Sequence, residues 1–172
     1  MSARSNGMAP VVVGLLGLLA MAWALLGCPG PDPGPCGGEG DPVLTLTNRG
    51  GGAVLDDGIE VDVFPPPQGG VFTELDVTIE NLELSELQYL RVEVVTTDTA
   101  ESLAYVRFFG EYTPLVCNED GVLAMEYVPV GFNEYYLLTD LDGVAATLTG
   151  TLETTRGDFS VGHDVVLRAT DY

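Results

Sequence analysis

Few residues in this chain have the type and spacing that chemistry requires. His163 is the single histidine, so a serine or cysteine triad has one base to draw on. It shares the apolar side of an alternating segment with Val161, Val165 and Leu167, the place of a core or edge histidine. Ser85, Ser102 and Ser160 lie in no Gly-x-Ser-x-Gly elbow. The chain has no lysine, which excludes Schiff-base chemistry. Its glycines cluster in turns, with no phosphate loop or dinucleotide fingerprint. No residue is assigned a catalytic role, and no cofactor is expected.

Carboxylates are abundant, with 26 Asp and Glu against six Arg. Some close pair is unavoidable at that density, but none is singled out for glycosidase work. Asp140-Leu141-Asp142-Gly143 and Asn118-Glu119-Asp120-Gly121 place oxygen ligands on tight loops. They make calcium-assisted binding the alternative reading, although neither has EF-hand spacing and Asp and Gly are ordinary turn residues. A zinc site lacks ligands, so no metal site is assigned. Tyr105 and Phe109 stand four apart with Arg107 between them. Such a ladder can stack on sugars or a protein partner; core positions on a mixed-face strand are the plainer expectation.

These residues need a scaffold, and the sequence divides into three parts: a leader at 1–27, a tether at 28–42 and a domain at 43–172. Val11–Leu26 is an almost unbroken apolar run of 16 residues, about 24 Å as a helix. A transmembrane helix needs about 20 residues, so the run suits a signal-peptide core better than a span. It ends in Leu25-Leu26-Gly27-Cys28, which resembles the lipobox of bacterial lipoproteins, with an ordinary cleaved secretory signal and an uncleaved anchor as the alternatives to a lipoprotein leader. The resemblance implies diacylglyceryl transfer to the Cys28 thiol, cleavage after Gly27 and N-acylation, with palmitate-type chains as the membrane anchor. Leu26 departs from the small residue preferred there. Pro29 stands where an Asp would retain a Gram-negative lipoprotein at the inner membrane, so the resemblance implies the outer membrane in such a host.

Loss of Arg4 with the leader leaves five arginines against 26 acids, a net charge of −21. That surface repels nucleic acid and anionic membranes, so attachment must come from hydrocarbon. Two or three acyl chains suffice for stable anchorage. The 46% hydrophobic content argues against wholesale disorder.

Residues 29–42 carry five prolines and five glycines, which excludes a helix or central strand. The proline half is expected to be semi-extended and the glycine half flexible. At about 3.1 Å per residue the tether would reach about 40 Å. Cys36 and Cys117 remain after lipidation. Outside the cytoplasm their pairing is the expectation, with two free thiols, or a mixed partner or metal, as the alternatives.

From Val43 the pattern has period two. Val71, Thr73, Leu75, Val77 and Ile79 form one face and Glu74, Asp76, Thr78 and Glu80 the other. Segments around 59–63, 90–94, 144–149 and 161–168 alternate likewise, and 103–112, 122–128 and 132–138 read as strands of mixed face. Asp-, Asn-, Gly- and Pro-rich turns separate them. The one competing helix is 82–89, with Asn81 as its cap. Seven to nine antiparallel strands at this spacing predict an all-β, immunoglobulin-like Greek-key sandwich, with a β-barrel as the alternative. Leu55-Asp56-Asp57-Gly58, a short strand, and Pro67-Gln68-Gly69-Gly70 before an alternating strand resemble uncharacterised bacterial surface lipoproteins with an immunoglobulin-like sandwich. The resemblance covers about residues 53–97 and implies a fold and an address but no activity. The expectation is therefore a non-enzymatic, lipid-anchored envelope module. Its partners would be the membrane, through the lipid on Cys28, and an envelope protein or polysaccharide.

Overall fold

Alternate burial organises the chain from Val43 to Ala169. Leu75, Val77 and Ile79 are fully buried, and so are Leu90, Val92 and Val94. The strands are β1 (Val43–Asn48), β2 (Ala53–Val54), β3 (Ile59–Val63), β4 (Phe72–Glu80), β5 (Leu87–Thr96), β6 (Ser102–Phe109), β7 (Val116–Cys117), β8 (Leu123–Gly131), β9 (Ala145–Thr154) and β10 (Gly157–Ala169). A short helix, α1, spans Leu138–Leu141. The structure, a computed structural model, describes residues 36–50, 52–66 and 69–170. The chain divides into two units, Met1–Asp32 and Pro33–Tyr172, and only the second contains described residues. Among these, no helix is long and apolar enough to cross a membrane.

Two five-stranded sheets form, in the orders β2-β1-β4-β8-β7 and β3-β10-β9-β5-β6. The chain crosses between them after β2, β3, β4, β6 and β8. Their inner faces share one core, so the fold is the expected immunoglobulin-like Greek-key sandwich. No barrel closes among the described residues; isolated bridges at Phe64↔Phe72 and Ala104↔Phe132 join the margins of the two sheets. Among the described residues ten strands form where seven to nine were expected: eight have five or more residues, and the added short edge strands β2 and β7 have two each. One pairing departs from an all-antiparallel arrangement: β3 runs parallel to β10, with Val61 opposite Leu167. No local sequence signal marks such a long-range pairing.

Gly150 sets how closely the sheets approach. A Cβ there would lie 2.8 Å from Leu44 Cδ2 and 3.1 Å from Leu46 Cδ1, so two leucines of the first sheet occupy the space that a side chain of the second would need. On the opposite surface of the first sheet, a bulge displaces β8 against β4 between Leu75 and Val77. Tyr127 there has φ 65°, a conformation that non-glycine residues rarely adopt. The Asp76 carboxylate accepts the Tyr127 N–H at 2.9 Å and an Arg49 N–H at 2.7 Å, which satisfies the backbone group at the bulge.

Three local expectations need correction. Residues 82–89 do not form a helix: a 3-10 turn covers only Leu84–Glu86, and Glu86 Oε2 accepts the Glu83 N–H at 3.1 Å. Asn81 is not its cap; it has φ 58° and its side chain bonds the Asp41 carbonyl. The 132–138 strand is absent, because the chain leaves the sheet after a single bridge at Phe132 and leads into α1.

Leu148 is fully buried in β9, whereas Thr147 faces outward and bonds Asp164 Oδ1 at 2.8 Å. Leu148→Ala is expected to cost about 2–5 kcal/mol through the cavity it leaves, a large share of the ~5–15 kcal/mol that stabilises such a domain. Thr147→Ala should cost far less. Thermal or denaturant melts of the two variants check this, and equal losses would place the strand in the opposite phase.

Candidate functional site

The tether meets the domain at a built junction. Cys36 and Cys117 are joined by a disulfide with 5.6 Å between their Cα atoms, across 81 residues. Beyond it the chain packs along the end of β4. A Cβ on Gly38 would lie 2.3 Å from Asn81 Oδ1, and one on Gly37 would lie 2.9 Å from Glu83 Cγ. Arg156, in the β9–β10 turn, donates to the Gly40 carbonyl at 2.9 Å and to the Asn81 carbonyl, and pairs with Glu86 at 3.1 Å. The glycine half of the tether, expected to be flexible, is therefore fastened from Cys36 onward. Composition suggested a loose spacer there; the fixing partners, Cys117, Asn81 and Arg156, lie far off in sequence. Cys28 lies outside the described residues.

Tyr105 and Phe109 on β6 are 51% and 56% exposed, so they face solvent rather than filling the core. They belong to a patch on the outer surface of the second sheet. Tyr89 on β5 is the cross-strand partner of Phe109, with ring centroids 5.2 Å apart. The Arg107 guanidinium carbon sits 3.5 Å from the centre of the Tyr89 ring, and Arg107 Nη2 pairs with Glu153 Oε2 at 2.6 Å. Arg91 approaches the other Glu153 oxygen at 3.9 Å and donates to Thr151 Oγ1 at 3.5 Å. An open depression of about 510 Å³ ends the patch, lined by Leu87, Gln88, Tyr89, Phe109 and Gly110. Stacking on Tyr89 and pairing with Glu153 hold Arg107 from both sides. The surface offers aromatic faces and a held planar cation. Sequence spacing marked Tyr105, Arg107 and Phe109; Tyr89, Arg91 and Glu153 join them only through strand pairing.

The other candidates do not gather into a site. His163 is half-buried and stands across from Leu148. Its neighbour Asp164 lies on the opposite face, bonded to Thr147. Ser160 bonds Thr151 at 3.0 Å, and Ser85 bonds Glu83. In both Asp-rich loops some side-chain oxygens hold backbone: Asp140 Oδ2 accepts the Leu137 N–H and Asp142 Oδ1 the Ala169 N–H, each at 2.9 Å. Asn118 Oδ1 accepts the N–H groups of Asp120 and Val122. Among the described residues, no group of three or more His, Cys, Asp or Glu is placed to hold a metal ion.

At the end opposite the disulfide, the 132–137 loop is tied to the β5–β6 turn. Asn133 donates its backbone N–H to the Leu103 carbonyl at 2.9 Å and its side chain to the Ser102 carbonyl at 2.8 Å. The Tyr136 hydroxyl donates to Glu101 Oε1. That bond to a carboxylate, with some burial, pushes the Tyr136 phenol up to about 12.

No family model matches the chain, and no curated protein matches it. Among solved structures, an engineered protein aligns at 20% identity with a TM-score of 0.40, over 74% of this chain and 20% of that one. The CooA pilin subunit from enterotoxigenic Escherichia coli aligns at 8% identity with a TM-score of 0.36, over 75% of this chain and 98% of the pilin. This chain therefore spans about a fifth of the engineered protein's length. Likenesses this slight define neither family nor function.

The raised Tyr136 value fixes the sign of an alkaline effect. Since the phenol titrates higher when folded than its usual 10.0, its contribution to stability is complete below pH 10 and is lost as pH rises toward 12. An absorbance titration of the tyrosines should show a late phase from Tyr136. Tyr136→Phe should remove that late phase and flatten the stability profile in the same window; an unchanged late phase would assign it elsewhere.

Proposed function

We propose that the protein is a lipid-anchored, non-enzymatic envelope or cell-surface module, attached through Cys28 and contacting an envelope protein or polysaccharide through the Tyr89–Tyr105–Arg107–Phe109 face. The observation that carries this reading is the exposure of Tyr105 and Phe109, 51% and 56%, beside a guanidinium held over Tyr89. Interface centres are enriched in aromatic residues and Arg, and stacked rings with a planar cation also suit sugars. The lipobox and leader support the address, and the disulfide is compatible with a compartment outside the cytoplasm. The calcium-assisted alternative has less support, because Asp140 and Asp142 each hold a backbone N–H.

Address and contact are tested separately. Metabolic labelling with a palmitate analogue should mark the wild type and leave Cys28→Ser unmarked and released from the membrane fraction. A Cys28→Ser protein still anchored, with the leader retained in the wild type, would make the leader a plain membrane anchor. For the contact, Tyr105→Ala with Phe109→Ala should leave the melting midpoint nearly unchanged, since both side chains are exposed. The same pair should lower retention of the mature protein on its own envelope fraction about tenfold or more, in keeping with aromatic anchors at an interface. Protease or glycosidase treatment of that fraction then distinguishes a protein from a polysaccharide partner. Retention equal to wild type would remove this face from the proposal.

A further inference from the structure

The disulfide shortens the leash between lipid and domain, and this has a consequence for the surface around it. Eight residue steps separate Cys28 from Cys36. Fully extended chain covers at most about 3.3–3.6 Å per residue, so Cys36 stays within about 28 Å of an acylated Cys28. A tether running freely to Pro42 would allow considerably more. The end of the domain that carries Cys36 is thereby held beside the bilayer.

That end carries exposed apolar side chains. Val116 is adjacent to the cystine and 64% exposed, Tyr112 is 78% exposed and Leu84 is 39% exposed. They surround the point where the tether joins. The Cβ position of Gly37 meets Glu83, the neighbour of Leu84, and the Leu84–Glu86 turn packs against the Gly110–Tyr112 turn. Bulky apolar groups on three separate segments thus stand at the end that the leash keeps near lipid; Tyr135 and Leu137 are also exposed at the other end, so it is the leash that selects which end meets the bilayer. Tyrosine suits the headgroup level, with an apolar ring and a polar tip. Glu39, Asp41, Glu83, Glu119 and Asp120 also lie along these segments, so anionic headgroups would oppose the contact and a zwitterionic surface would favour it.

We propose that the domain rests on the membrane surface through this end, with Tyr112, Val116 and Leu84 in the interfacial layer and the Tyr135 end directed outward. The proposal depends on acylation of Cys28. Its test uses the absence of tryptophan from the processed chain, since Trp23 is the only one and leaves with the leader. The processed, lipidated protein, with residues 1–27 removed, carries either Tyr112→Trp or Tyr135→Trp, both at exposed positions, and is reconstituted into phosphatidylcholine vesicles containing a brominated acyl chain. Tryptophan at 112 should be quenched about twofold more than tryptophan at 135, with blue-shifted emission. Val116→Ser with Leu84→Ser should reduce that difference. Protein that floats with the vesicles but shows equal quenching at the two positions overturns the seating while leaving the anchor intact. Protein that fails to float overturns the anchor, and the seating with it.

Discussion

The burial of one face of each sheet against the other is the interaction on which the rest of the structure depends. Leu46, Leu75, Val77 and Ile79 from the first sheet share a solvent-free core with Leu90, Val92, Leu148, Leu152 and Leu167 from the second. Each fully buried Val or Leu side chain contributes about 1.5–3 kcal/mol relative to exposure. Gly150 lets Leu44 and Leu46 lie directly on the facing strand. Once the inner faces are committed in this way, period-two geometry sends the acids outward, and most of them reach water, although one Glu74 carboxylate oxygen is buried. The five arginines among the described residues then stand where strands or turns meet: Arg49 with Asp76, Arg91 and Arg107 with Glu153, Arg156 with Glu86, and Arg168 with Glu60. Exposed pairs of this kind contribute about 0–1 kcal/mol each, so they orient a surface that the core already stabilises.

What was legible in the sequence was the part governed by local alternation. The phases of β3, β4, β5, β9 and β10 follow from which of two neighbouring residues is apolar, and Val61, Val77, Val92, Leu148 and Leu167 are all buried as that pattern requires. Alternation fails where tertiary contacts decide. Tyr105 and Phe109 look like core residues by type, yet Leu103 and Ala104 take the buried positions at the start of β6 and a register shift lies beside them. Residues 132–138 have the composition of a strand, but Asn133 and Tyr136 fasten them to the β5–β6 turn instead. The parallel partnership of β3 with β10 joins segments about a hundred residues apart, and no local pattern encodes it.

The aromatic face proposed for partner contact shows the same division between local and non-local information. Arg107 was visible in sequence as a cation between two aromatics. Its environment depends on Tyr89, on the preceding strand, and on Glu153, on the strand beyond that. An arginine free in solvent samples many rotamers; this one is stacked on one side and paired on the other, so less side-chain entropy remains to be lost when a partner arrives. With Glu153 also near Arg91, the patch is close to neutral on a domain of strongly negative charge. A partner meeting it avoids much of the repulsion that the rest of the surface would impose.

The junction near Cys36 can be understood as a mechanical problem. Under the proposed anchorage, force on the domain enters through the tether, and the first covalent attachment is Cys117 on β7, a two-residue strand paired only through Val116↔Ala124 and Cys117↔Leu123. Such a strand alone is a weak place to hang a domain. Arg156 reaches from the β9–β10 turn of the opposite sheet to the Gly40 and Asn81 carbonyls, and Asn81 in turn bonds the Asp41 carbonyl. Load arriving at Cys36 is therefore shared between the edge of the first sheet and the longest hairpin of the second, across the core that joins them. The left-handed backbone at Asn81 turns its carbonyl and side chain toward these partners, and the missing side chain at Gly38 lets the tether lie against Asn81 closely enough to be held.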